Sequence, residues 1–317
     1  MNFFLIKLRR DIKFILNFFL QLKLSPLRKP QSQKYGIFKK AFRENLAAVK
    51  VYETDRFLTK AWKQFVLNME KRMLPYPKFN FLSDPVILYT MFATAGGAWI
   101  RKQLEFIESR LKKDEIIRLL SEDAFGEPLL LSSKYATSHS SVQHLYSIER
   151  YLYKTGRDIK EIESVIEWGG GYGNMAKMFY RKKQAPFKYV IIDIPVFSVI
   201  QWLYLCVTVG EERVNLVKTH DCEIQDGKIN LVPLCFVEDI KGGFDMFVST
   251  WALSESSKEA QDFVAAKKLF GAKKILFANQ SSDASFPYAE NLGSMAASNN
   301  AISEEIAFLK GHYYHFL

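Results

Sequence analysis

The sequence predicts an α/β fold in which a mostly parallel sheet, flanked by helices, follows a helical N-terminal region. Three observations predict it. From Ile162 onward, short β-favouring runs alternate with helical stretches, the pattern of strands joined by crossover helices. VIEWGGGYG (Val165 to Gly173) ends a β-rich run in an acid and a cluster of glycines, directly before the helix-compatible NMAKMFYR. From Lys34 to about Tyr153, by contrast, apolar residues recur at helical spacing, as Phe38, Phe42, Leu46 and Val49 do.

The bulk numbers bound the reading. With 317 residues, 48% hydrophobic and 25% charged, the chain can bury a sizeable core as one large domain with an additional helical part. The formal net charge is +10, of which +6 falls in the first 30 residues. A net positive charge concentrated at one terminus does not make an extended nucleic-acid-binding face, so no nucleic acid partner is expected. Three cysteines, Cys206, Cys222 and Cys235, form no CxxC pair. This fits a reducing, cytoplasmic compartment and indicates neither a disulfide framework nor a zinc site.

Taken in order, residues 1–33 read as a basic amphipathic segment and linker. Lys7, Arg9, Arg10, Asp11 and Lys13 interrupt its apolar runs, which fall short of the roughly 20 residues a membrane span needs. An interfacial helix on an anionic leaflet has this character, giving an expected peripheral contact with the inner membrane. A helix packed on the body or on a second subunit of a homo-oligomer fits equally. Ser25 to Gln33, SPLRKPQSQ, reads as the linker. Residues 34–155 form the helical region, broken at Pro75 to Phe79 and Ser83 to Pro85. Its end, YATSHSSVQHLYSIERYL, holds His139 and His144, with a helix starting near Ser140 or Ser141.

Residues 156–317 carry the alternating pattern. ESVIEW is the first strand and KYVIIDIP (Lys188 to Pro195) the second, followed by the very apolar helix PVFSVIQWLYLCV. VNLV and KINLVPLC are shorter strands about a turn at Asp226 and Gly227. FDMFVSTW (Phe244 to Trp251) and KKILFANQ (Lys273 to Gln280) follow, separated by an amphipathic helix. Ile302 to Phe308 and His312 to Phe316 suit a closing antiparallel pair. In such a sheet, ligands bind at the carboxyl ends of the strands, near the point where strand order reverses.

Within that frame the glycine run is the leading ligand site. Gly169, Gly171 and Gly173 permit positive φ and close backbone approach, and the next helix opens with unpaired amides. Asn174 replaces the last glycine of the dinucleotide pattern GxGxxG. Asp193 ends the second strand, where a carboxylate can accept from both hydroxyls of a ribose.

EWGGGYG (Glu167 to Gly173), DIP (Asp193 to Pro195) and STWALSE (Ser249 to Glu255) together resemble class I S-adenosylmethionine-dependent methyltransferases. More narrowly, the chain resembles the sugar O-methyltransferase family of bacterial surface-polysaccharide gene clusters, over roughly Thr137 to Asn291. DIPV and ALSES stand where such proteins tend to read DLPE and SLSEM. The resemblance implies a Rossmann-like, seven-stranded methyltransferase sheet. It also implies S-adenosyl-L-methionine as cofactor, bound through Glu167, Gly169, Gly171, Gly173 and Asp193. The implied activity is transfer of a methyl group to a sugar hydroxyl of lipopolysaccharide, capsule or a precursor.

Such a hydroxyl is too weak an acid to ionise unaided at neutral pH, so a base is expected. His144 and His139 are the first candidates and Glu255 the next. Asn279, Tyr288 and Asn291 are candidates for contacting the substrate. A divalent metal held by Asp193 with His220 and Asp221 is conceivable, but no ligand spacing marks it. The alternatives are an RNA or protein methyltransferase, and a noncatalytic binding module that retains the fold.

Overall fold

The computed structural model describes residues 17, 19–52, 55–91, 97–132 and 134–317. The expectations placed on Met1 to Leu16 lie outside the described residues. The N-terminal part consists of α1 (Ser25–Lys50), α2 (Lys60–Met73), α3 (Pro85–Met91), α4 (Gly97–Arg110) and α5 (Lys113–Leu120). An antiparallel pair, β1 (Leu130–Ser132) and β2 (Thr137–Ser138), leads into α6 (His139–Thr155). The sheet region comprises β3 (Ser164–Trp168), α7 (Asn174–Lys183), β4 (Lys188–Asp193), α8 (Pro195–Thr208), β5 (Val214–Leu216) and β6 (Ile229–Pro233). It continues with β7 (Met246–Thr250), α9 (Lys258–Ala266), β8 (Lys274–Gln280), α10 (Asn291–Ser298), β9 (Ile302–Glu305) and β10 (His312–Phe316).

Ser25 to Gln33, expected as a linker, is the opening of α1 instead. Proline is tolerated in a first turn, where Pro26 stands, although Pro30 lies inside the helix. Tertiary contacts offset that cost. Gln31 is buried, donates to Asp123 Oδ1 at 2.9 Å and accepts from the Phe125 amide at 2.8 Å. The helix then runs along α8, with the Phe38 ring 5.9 Å from that of Trp202. This explains why α8 is apolar nearly all round: it lies between α1 and the sheet.

The strands are ordered β5-β6-β4-β3-β7-β8-β10-β9, parallel except for β10, which runs antiparallel to both β8 and β9. This is the Rossmann-like methyltransferase sheet with eight strands rather than the expected seven, because the three-residue β5 adds to its edge. The Asp226–Gly227 turn does not make a hairpin. Val214 pairs with Ile229 in parallel, and residues 217–228 carry the chain back to the start of β6. Asn230 fixes that return, since its buried side chain accepts from the Gln225 amide at 2.8 Å and from Asn215 Nδ2 at 2.9 Å.

β3, β4 and β7 are buried along nearly their whole length, as parallel strands covered on both faces must be. β4 lies on one side of β3 and β7 on the other, so a crevice opens at their carboxyl ends. Among the described residues, no helix is long and apolar enough to cross a membrane.

Candidate active site

A cavity of about 520 Å³ occupies that crevice, within the roughly 300–1,000 Å³ usual for small-molecule sites. Its floor is the loop after β3. The Gly169 amide donates to the Ile192 carbonyl at 2.8 Å, and a Cβ added at Gly169 would sit 2.1 Å from that of Ala252. The loops after β3 and β7 therefore touch there. At Gly171 (φ +57°) an added Cβ would meet only Met91, at 4.0 Å, so this backbone lies bare toward the opening. Gly173 packs against Leu205 beneath the loop and does not line the cavity.

Three carboxyl groups line the cavity, and burial is the largest cause of an upward shift in each. Glu167 rises to about 8; Tyr189 OH donates to its Oε2 at 2.9 Å and opposes the rise, while Asp193 adds to it. Asp193 rises to about 7 although the Ile194 amide (2.8 Å) and Gln201 Nε2 (2.7 Å) donate to it. Gln201 also donates to the Gly171 carbonyl at 2.9 Å, tying the acid to the glycine loop. Glu255 rises to about 7 despite a hydrogen bond from Trp62. A cavity walled by three hard-to-ionise acids favours a cationic ligand, which would recover the cost of charging them.

α6 begins at His139, one residue earlier than expected, with Ser138 as its cap. His144 lines the cavity; His139 is buried near Trp99, with ring centroids 6.4 Å apart, and does not. Burial, with Lys177 and His139 adding, pushes His144 down to about 3. At neutral pH it is a neutral imidazole and a weak proton acceptor. Asn174 Nδ2 lies 3.0 Å from its Nδ1. Behind it, the Lys177 ammonium stands 3.6 Å from Glu122 Oε2 and 2.9 Å from Asp123 Oδ2, all fully buried. Against the upward push of burial, Lys177 and Arg181 hold Asp123 below the usual carboxylate range.

The sequence reading missed His312, which β10 carries to the cavity wall. Its Nδ1 accepts from Trp251 Nε1 at 2.9 Å. Trp251 directly follows β7 with φ +69°, a left-handed conformation rare for a bulky side chain and a mark of functional sites. It missed Gln201 as well, although a lone amide in the apolar run of α8, eight residues past Asp193, is a readable signal.

The three proposed substrate contacts do not reach the cavity. Asn279 is buried, donating to the Ala289 carbonyl at 3.1 Å and paired with His315 Nε2 at 2.8 Å, so its polar groups hold β8, β10 and the following loop together. Tyr288 is 41% exposed, and Asn291 donates to Gln261 at 3.1 Å. His220 is exposed and pairs with Asp239 at 2.8 Å rather than approaching Asp193. Among the described residues, no group of three or more His, Cys, Asp or Glu side chains could hold a metal ion.

No protein-family model and no curated protein sequence matches this chain. Solved structures that resemble it include the mitomycin 7-O-methyltransferase MmcR, at 11% identity over 55% of this chain and 56% of that one, with a TM-score of 0.37. The pyocyanin biosynthetic protein PhzM matches at 12% identity over 56% and 57%, with a TM-score of 0.35. An O-methyltransferase family protein from Burkholderia thailandensis matches at 11% identity over 90% and 94%, with a TM-score of 0.36. This chain thus spans little more than half the length of the first two. Likeness at this level assigns no activity.

Proposed function

We propose that the protein is an S-adenosylmethionine-dependent O-methyltransferase. The observation that carries this is the trio of buried, charge-resisting carboxyls, Glu167, Asp193 and Glu255, facing one cavity over a bare glycine loop. S-adenosylmethionine would supply an activated methyl group on a cationic sulfonium. Glu167 and the 169–171 backbone suit its amino-acid portion, and Asp193, held by Gln201, suits the ribose hydroxyls. Glu255 is the better-matched proton acceptor, because a carboxyl near 7 takes a proton at neutral pH far more readily than an imidazole near 3. A cation nearby favours its ionised form, so the same charge that binds would prepare the base.

The acceptor we propose is a sugar hydroxyl of a surface glycan or its precursor. Trp62, Trp99 and Trp251 give the cavity broad aromatic faces with polar edges, suited to the apolar face of a sugar ring. On α1 and the helical residues that precede it, Phe19, Leu22 and Ile37 are exposed along with Lys23 and Lys34, consistent with a peripheral contact at an anionic inner leaflet. The cofactor reading is tested by calorimetric titration of S-adenosylmethionine into wild type and Glu167→Gln; absence of binding to wild type would sink it. The acceptor reading is tested by mass spectrometry of surface glycan from cells with and without the gene, where loss of one methylene mass per repeat is expected and an unchanged glycan counts against it.

A further inference from the structure

We infer that Asn174 and Glu122 are positioning residues that fix His144 as its Nε2–H tautomer, so that the neutral ring meets the cavity ligand as a hydrogen-bond donor. The protons along one chain of contacts fix this tautomer, whatever the cavity binds.

The chain starts at Glu122, buried beside the Lys177 ammonium. A carboxylate only accepts hydrogen bonds. Its Oε1 takes three: from the Ser138 amide at 3.2 Å, from Ser138 Oγ at 2.5 Å and from Ser141 Oγ at 2.5 Å. The Ser141 hydroxyl has thereby committed its one proton, and toward Asn174, 3.1 Å away, it can only accept. The part of the Asn174 amide facing Ser141 must be the NH2 group. That same nitrogen is 3.0 Å from His144 Nδ1, which therefore accepts its second proton. A neutral imidazole with an accepting Nδ1 carries its proton on Nε2.

The opposite amide orientation would set Oδ1 against Ser141 Oγ with no proton between them, and would strand both amide hydrogens. Of the amide's own groups, the orientation present leaves Asn174 Oδ1 without a partner. One unmet acceptor costs less than an oxygen–oxygen clash plus two unmet donors. Asn174 thus has a use of its own at the position where the dinucleotide pattern has glycine. Gly173 turns the chain so that the first residue of α7 faces α6, and a glycine at 174 would leave the tautomer of His144 unset.

The test is nitrogen NMR of the full-length protein with 15N-labelled histidine, which distinguishes protonated from unprotonated ring nitrogens; His144 is assigned by the signal missing in His144→Gln. Wild type is expected to show protonated Nε2 and bare Nδ1 at neutral pH. Asn174→Asp replaces the amide donor with an acceptor and is expected to exchange the two, placing the proton on Nδ1, whereas a purely structural role would leave the pattern unchanged. A protonated Nδ1 in wild type overturns the proposal, as does an unchanged tautomer in a folded Asn174→Asp. If that variant does not fold, the wild-type spectrum decides alone.

Discussion

The indole N–H of Trp251 donates to Nδ1 of His312 across 2.9 Å, joining the end of β7 to the start of β10 at the cavity wall. Tryptophan only donates, so neutral His312 must also hold its proton on Nε2. Burial already lowers the pKa of His312, and a donor on Nδ1 favours the same neutral form. Trp251→Phe keeps a ring and removes the donor. The pKa of His312, followed by proton NMR, is expected to rise, and stability in urea to fall by about 1–3 kcal/mol for the acceptor left unpaired. An unchanged His312 titration would show that the contact does not bias the ring.

The carboxyl trio predicts a proton balance for cofactor binding. Glu167, Asp193 and Glu255 are partly or wholly protonated near neutrality, and a bound cation favours their ionised forms. S-adenosylmethionine should therefore release protons as it binds and bind more tightly as pH rises from about 6 to about 8. Titration calorimetry in buffers of different ionisation enthalpy measures the release directly. S-adenosylhomocysteine, whose sulfur is neutral, should release fewer protons. Equal release for the two ligands would mean that the acids do not sense the sulfonium.

The same acids shape stability without a ligand. Their folded pKa values lie above the usual carboxylate range, so between that range and about 7–8 the folded state holds more protons than the unfolded chain. Their stabilising contribution is full below the unfolded values and is lost as pH rises through the folded ones. Glu167→Gln removes one such group. Its plot of unfolding free energy against pH, from denaturant melts between about pH 5.5 and 7.5, should fall less steeply than wild type by about 1.4 kcal/mol per pH unit. Parallel plots would show that Glu167 is ionised in the fold.

Much of this architecture was legible because it is written in local pattern. The period of apolar residues separated helices from strands, and the acid-and-glycine run marked the end of β3 and the crevice beyond it. What was not legible depends on distant partners. Ser25 to Gln33 has the composition of a linker, yet Asp123 and the Phe125 amide hold its Gln31 in a helix. Asp226–Gly227 has the chemistry of a hairpin turn, but Asn230 binds the return segment so that β5 and β6 run parallel. Asn279 looked available to substrate because it follows β8, and His315 and the Ala289 carbonyl engage it. His312 carries no local signal; only the antiparallel register of β10 on β8 brings it beside Trp251.

The glycine loop yields a prediction that separates structural glycines from one placed for a ligand. Gly169 and Gly171 both have positive φ, so alanine is strained at each, typically by about 1–2 kcal/mol. Only at Gly169 would the new methyl collide, 2.1 Å from Ala252 Cβ, where the loops after β3 and β7 meet. Relieving that clash must move the backbone of one loop, so Gly169→Ala should lose stability beyond the conformational strain, by a further 1–3 kcal/mol or about that, as overpacking does. Gly171→Ala meets nothing closer than Met91 at 4.0 Å and should lose only the conformational part. Its methyl would instead occupy the open side of the loop, so its cofactor affinity should fall more than its stability does. Paired measurements of denaturation midpoint and cofactor dissociation constant for the two variants decide the matter. If Gly171→Ala binds S-adenosylmethionine as wild type does while unfolding earlier, the backbone at 171 is not part of the cofactor's cradle.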